Sequence, residues 1–188
     1  MPDNIENVRV EALNSLHERG AFLCTSRPIQ NFCRYQLEDA HYEYRLRAFV
    51  AVEPPSRSVL GYYYLCLSTV APDEAGPGAS DQFLHVDALP SVYLGMLGVH
   101  QDHARQGVGT LLMRDAFSRV LQIAEHAGVY ACTLDAVDEG AARYYEEKFE
   151  FERFAEGSLK MYLLLSDIRG AIPDPEPEEE AAVAPAEA

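Results

Sequence analysis

The chain has 188 residues, 48% of them hydrophobic, and its 30 acidic against 15 basic side chains give a net charge of −15 at neutral pH. That length holds one sizeable core, while the acidic balance works against a general affinity for nucleic acid, whose phosphates it repels. With no run of about 18 apolar residues and no basic-then-apolar leader, a membrane span and a secretory signal are not expected, and the protein is expected to be soluble and cytoplasmic.

In chain order, a strand is predicted from Val8 to Leu13, then a loop around Cys24 to Pro28. A helix is predicted from Gln30 to His41, with Phe32, Cys33, Leu37 and Ala40 on one side. Strands follow at Leu46 to Val52 and Val59 to Val70, separated by a turn at Pro54-Pro55-Ser56. Residues 71–90, rich in Pro and Gly, form a long loop of the kind that serves function or moves. Next come a strand over 92–99, a helix over 107–127, a strand over 129–136, a helix over 138–148, and two last strands near 149–155 and 159–165. The whole is α/β, a mixed sheet with helices on it. Residues 171–188 hold six acidic and no basic side chains among repeated prolines, so they cannot offset their ordering entropy by burial. We therefore expect a folded domain over 1–170 and a disordered acidic tail over 171–188; without the tail the remainder still carries 24 acidic against 15 basic residues.

Cys24, Cys33, Cys66 and Cys132 include no C-x-x-C pair and are expected to be reduced, Cys66 and Cys132 as small hydrophobes within strands. Arg27, Arg34, Arg45 and Arg47 could form a local basic patch, but a solvated helix face with ion pairs is the preferred reading. His100-x-x-His103 is read as exposed loop histidines and no metal site is expected.

The most informative stretch is Leu94-Gly95-Met96-Leu97-Gly98-Val99 followed by Arg105-Gln106-Gly107-Val108-Gly109-Thr110. A short apolar strand passes through a glycine loop into a helix with Leu111, Leu112, Ala116, Phe117, Val120, Leu121 and Ile123 at helical spacing. First-turn N–H groups lack intrahelical partners and sit at the positive end of the helix dipole, so such a unit binds phosphate or diphosphate. Gly107 and Gly109 let the backbone approach that anion, and Arg105 adds charge at the rim. The alternative is that the glycines only make a tight turn. There is no Lys-Ser/Thr pair as in a P-loop, and no third glycine as in a dinucleotide fold.

The loop resembles motif A of the Gcn5-related N-acetyltransferase (GNAT) family, Gln/Arg-x-x-Gly-x-Gly/Ala, with Ala104 at the first position and the basic residue one later, at Arg105. Asp138 to Phe149 resembles motif B, a helix ending Phe-Tyr-x-x-x-Gly-Phe: Tyr144 takes the Phe place, Tyr145 the Tyr place, and Glu150 stands where the glycine usually sits, after one extra residue. Leu16 to Cys24, Ile29 to Phe32, Phe49 to Val52 and Gly61 to Leu65, with the closing Leu159 to Leu165, resemble the acetyltransferase toxins of type II toxin–antitoxin pairs over roughly residues 8–168. Those toxins usually have Arg-Leu-Ala-Val-Asp where this chain has Met96-Leu97-Gly98-Val99-His100, so a cation near the acceptor cleft is missing.

The resemblance implies the GNAT fold, a mostly antiparallel six- to seven-stranded sheet flanked by helices, with a splayed central strand pair. It implies acetyl-coenzyme A as donor, its diphosphate held by Arg105, Gln106, Gly107, Val108, Gly109 and Thr110, and its thioester beside the amides of Leu97, Gly98 and Val99. Those amides would stabilise the oxyanion that forms as an amine attacks. Tyr145 would protonate the departing sulfur, its ordinary pKa near 10 keeping it a donor. Asp135, His100 and His103 lie near the right strands, but an α-amine needs little help from a base. The implied acceptor is the α-amine of an aminoacyl-tRNA, and the implied partners are a ribbon-helix-helix antitoxin and a second copy in a homodimer. The alternatives are a small amine or protein N-terminus as acceptor, or a non-catalytic acyl-coenzyme A-binding regulator.

Overall fold

The protein is described by a computed structural model that places residues 5–72, 74 and 87–171. A seven-stranded sheet has the order β1-β2-β3-β4-β5-β7-β6, from β1 (Arg9–Ala12), β2 (Arg47–Val52), β3 (Gly61–Val70), β4 (Leu89–Val99), β5 (Ala131–Asp135), β6 (Glu152–Arg153) and β7 (Lys160–Leu164). Only β4 and β5 are parallel; the other neighbours are antiparallel. The helices are α1 (Arg27–Tyr35), α2 (Leu37–Tyr42), α3 (Val108–Ala124), α4 (Glu139–Phe149) and α5 (Leu165–Ala171).

Side-chain alternation splits the strands between two layers. Phe49, Ala51, Tyr63, Leu65, Val92 and Leu94 face α3, which buries Val108, Leu112, Met113, Ala116, Phe117 and Val120 against them. Ala48, Val50, Val52 and Tyr62 face the opposite layer, where α1 and α2 bury Ile29, Cys33, Leu37 and Ala40. β2 is therefore buried on both faces, and its near-continuous apolar run has that cause. Leu112 is 0% exposed, and its truncation to Ala would cost about 2–5 kcal/mol.

Several elements depart from the sequence expectation. The helix expected over Gln30–His41 is two helices, starting earlier at Arg27 and broken at Gln36. The Cys33 carbonyl, which a continuous helix would give to the N–H of Leu37, instead accepts from Arg19, whose guanidinium also pairs with Glu38. β4 begins at Leu89 and not 92, so the end of the expected loop is strand; residues 73 and 75–86 of that loop lie outside the described residues. The strand expected near 149–155 shrinks to Glu152–Arg153 because α4 keeps Phe149, and α5 follows β7 where no helix was expected. Ile168 fixes α5 by entering the main core at 0% exposure. Apart from Ala171, which ends α5, the expected tail lies outside the described residues.

The four cysteines are free; Cys33 and Cys132 are buried, Cys24 and Cys66 half-buried. Of the four arginines, Arg34 donates to the Phe22 carbonyl at 2.7 Å, Arg45 pairs with Glu43 at 2.7 Å, and Arg47 lies over the Tyr44 ring. Among the described residues no helix is long and apolar enough to cross a membrane.

Candidate active site

A bulge in β4 opens the sheet. Tyr62 pairs with Gly98 but Tyr64 with Gly95, so Met96 and Leu97 together oppose Tyr63, and Met96 takes a left-handed φ of 42°. On its other edge β4 has already left β5: their ladder joins only Ser91–Tyr93 to Ala131–Thr133, although β4 continues to Val99 and β5 to Asp135. The N–H of His100 donates to the Leu60 carbonyl at 2.7 Å. By alternation His100 and Gly98 turn their backbone groups to β3, and Leu97 and Val99 turn theirs into the gap. The resulting cleft of about 670 Å³ is walled by Tyr93, Leu94, Met96–Val99 and Leu134–Val137, with Cys24–Ser26 and Pro28–Ile29 on one side and Ala141 and Tyr145 on the other.

The glycine loop lies where β4 passes into α3. Gly107 caps α3 with a left-handed φ of 87°, a conformation that calls for glycine. Arg105 is also left-handed, at 59°, and exposed. Among the described residues no protein group accepts from the N–H of Arg105, Gln106, Gly107, Val108, Gly109 or Thr110; the first bond of α3 is Leu111 to the Gly107 carbonyl. Consecutive unpartnered amides at a helix entrance suit a diphosphate. Gly109 differs from Gly107: a Cβ there would meet only Val99 Cγ2 at 3.7 Å, so the backbone does not demand glycine.

Gly98 is glycine because of packing across the sheet. A Cβ there would stand 2.5 Å from Ile29 Cγ2 and 3.3 Å from the Tyr62 ring, so glycine admits α1 against β4. This close approach brings Cys24, the end of the Leu16 to Cys24 stretch, to the cleft together with Thr25 and Ser26, which no motif included.

Tyr145 enters from α4, which Asp138 opens by accepting from the N–H of Ala141 at 2.8 Å. The ring packs edge-on against Phe151 and is tilted to Phe149. Burial first, and the neighbouring Tyr144 second, push the phenol up to about 12. Among the described residues its hydroxyl has no hydrogen-bond partner. Arg153, on β6, straps α4 along its length: it donates to Glu139 at 2.8 and 2.9 Å and to Glu146 at 2.6 Å, holding the carboxyls at both ends of the helix below the usual carboxylate range. Glu150 closes α4 in the left-handed region at φ 60°, the place of the family's glycine.

Asp135 also reaches the cleft, but His100 and His103 do not line it. His100 Nε2 lies 3.3 Å from the Ala21 carbonyl, and its ring packs edge-on to Phe22. A larger groove of about 930 Å³ lies on another face, lined in part by Arg45, Arg47, Phe49 and Arg119. Arg119 already stacks 3.8 Å over Phe49 and pairs with Asp115, and no open strand pair borders the groove. The smaller cleft, bordered by the open edge of β4 and by Tyr145, is the candidate site.

Residues 32–151 match the profile described as the acetyltransferase (GNAT) family. A protein of Mycobacterium tuberculosis described as a tRNA-acetylating toxin is 33% identical over 116 residues, covering 62% of this chain and 68% of its own length. Among solved structures, a mutant of KacT is similar with a TM-score of 0.83 at 20% identity, covering 89% of this chain and 100% of its own. AtaT complexed with acetyl-methionyl-tRNAfMet gives 0.78 at 25% identity, covering 87% and 98%.

Proposed function

The chain belongs to the acetyltransferase (GNAT) family and is an N-acetyltransferase with acetyl-coenzyme A as acyl donor, and from that premise we propose that its acceptor is the α-amine of an aminoacyl-tRNA. The observation that carries the donor half of the reading is the cleft with the loop that follows it: Ala104 borders the cleft next to the unpartnered amides from Arg105 to Thr110, Leu97 and Val99 line one wall, and Tyr145 the other.

In this reading the loop amides hold the donor's diphosphate, and the gap between β4 and β5 receives its thioester arm. The N–H groups of Leu97 and Val99 donate to the carbonyl oxygen as the acceptor nitrogen bonds to the carbonyl carbon, stabilising the negative charge that develops there. The carbon–sulfur bond breaks, the sulfur keeps the electron pair, and Tyr145 gives it a proton. With its pKa pushed up to about 12, Tyr145 holds that proton throughout the physiological range.

An attacking amine must be neutral. An α-amine titrates near 8 and lysine near 10.4, so at neutral pH the former offers the free base more than a hundred times as often. The relative described as a tRNA-acetylating toxin, and the likeness to AtaT in complex with acetyl-methionyl-tRNA, favour aminoacyl-tRNA as the source of that amine. A ribbon-helix-helix antitoxin and a homodimer belong to the same proposal. The second reading, a small amine or protein N-terminus as acceptor, is favoured by Met96 at the bulge, where the toxins carry arginine.

Incubation with labelled acetyl-coenzyme A and aminoacylated total tRNA separates the two. Label is expected in the tRNA fraction and lost on mild base treatment that cleaves the aminoacyl ester. Label confined to free amines or peptides would overturn the tRNA proposal.

A further inference from the structure

The cleft lining is neutral except at one position. Among the described residues that border it, Asp135 is the one charged side chain. The other groups able to titrate there are Cys24, Tyr93 and Tyr145, and burial raises all three, keeping them uncharged at neutral pH. A lone carboxylate does not serve a donor that carries phosphates. It suits the other reactant, which arrives as a cation.

The geometry of Asp135 fits such a guest. It ends β5, exposed after four buried residues, on the strand that forms one arm of the gap. The Tyr93 hydroxyl, on the opposite arm, donates to its Oδ2 at 2.9 Å, which fixes the carboxylate. Oδ1 has no protein partner among the described residues. The nearest cation by register is Lys160, directly across on β7, but its Nζ lies 3.1 Å from Glu74 and over the Phe154 ring. Tyr64 approaches from β3, its ring 6.4 Å from that of Tyr93, and burial raises its phenol too.

We propose that Asp135, oriented by the Tyr93 hydroxyl, anchors the acceptor: its carboxylate binds the α-ammonium group at the open end of the cleft and takes the proton that the nitrogen sheds on acylation. This rests on the acceptor reading above. The bound ammonium first gives one proton to Oδ1, which passes it to solvent, and the neutral nitrogen then bonds to the carbonyl carbon as a second N–H proton passes to Oδ1. The carbon–sulfur bond breaks, sulfur keeps the pair and takes the Tyr145 proton, Asp135 gives its proton to solvent, and solvent reprotonates Tyr145.

The test compares wild type, Asp135→Asn, Asp135→Glu and Tyr93→Phe as full chains, with acetyl-coenzyme A and aminoacylated total tRNA, reading thiol release at pH 6.5 and 8.5. Acetyl-coenzyme A affinity by calorimetry checks the folded site. Asp135→Asn is expected to lower kcat/KM for the acceptor on the order of a hundredfold, with donor affinity within twofold. The loss should be larger at pH 6.5, because the amine is cationic below about 8. Asp135→Glu should restore part of the activity, and Tyr93→Phe should cost roughly tenfold, about the worth of one charge-assisted hydrogen bond. Asp135→Asn within twofold of wild type at both pH values, or a loss that follows donor affinity, would overturn the anchor. If Asp135→Asn fails to fold, Tyr93→Phe decides, an unchanged KM for the acceptor being the contrary result. An inactive wild type would instead overturn the tRNA reading.

Discussion

Removing one oxygen atom should separate chemistry from binding. In Tyr145→Phe the ring keeps its packing against Phe149 and Phe151, and the lost hydroxyl had no partner among the described residues, so no buried group is left unsatisfied. Folding stability should therefore change by less than about 0.5 kcal/mol. The effect on rate has a different origin. Without a proton donor the sulfur must leave as a thiolate, and loss of a positioned general acid costs about 10²–10⁴ in kcat, equivalent to roughly 2.7–5.5 kcal/mol of barrier. Thiol release under saturating donor and acceptor measures it, with calorimetry for donor affinity and thermal melts for stability. A wild-type phenol at about 12 should add no descending limb to the pH–rate profile below pH 10. A Phe variant with half the wild-type kcat, or one whose deficit lies wholly in donor affinity, would refute the assignment of Tyr145 as the acid.

Gly107→Ala forces a Cβ into φ 87°, a strain of about 1–2 kcal/mol; donor Kd should rise about tenfold by calorimetry, and Gly109→Ala should do less, having room at 3.7 Å. Glu150→Gly relieves the left-handed residue that closes α4, so stability should increase by about 1 kcal/mol and Tm by about 2–4 °C. Arg153 depresses the carboxyl pKa values of Glu139 and Glu146, so its contribution is full above the ordinary carboxylate range near 4.3 and is lost as pH falls through the lower folded values. Denaturant titrations from pH 7 to pH 3 should therefore show a steeper acid loss of stability in wild type than in Arg153→Met.

The sequence alone determined whatever depends on neighbours along the chain. A glycine that must turn left, the helix it opens, the acidic cap at Asp138 and the paired tyrosines of α4 are local features, because caps, turns and helical faces repeat within a few residues. Those patterns placed the glycine loop at the head of α3 and Tyr145 on α4, while the roles proposed for them came from the family resemblance. What the tertiary structure decided concerns partners distant in sequence. Arg19 takes the Cys33 carbonyl from 14 positions away and breaks the expected helix, and Ile29 of α1 gives Gly98 its reason. Tyr93 finds Asp135 across 42 positions, at the gap where β4 and β5 part beyond their last paired residues, Tyr93 and Thr133. Side-chain period fixes which face a residue takes, but the neighbour it meets there is set by the crossing of separate strands and helices, and no local pattern encodes that.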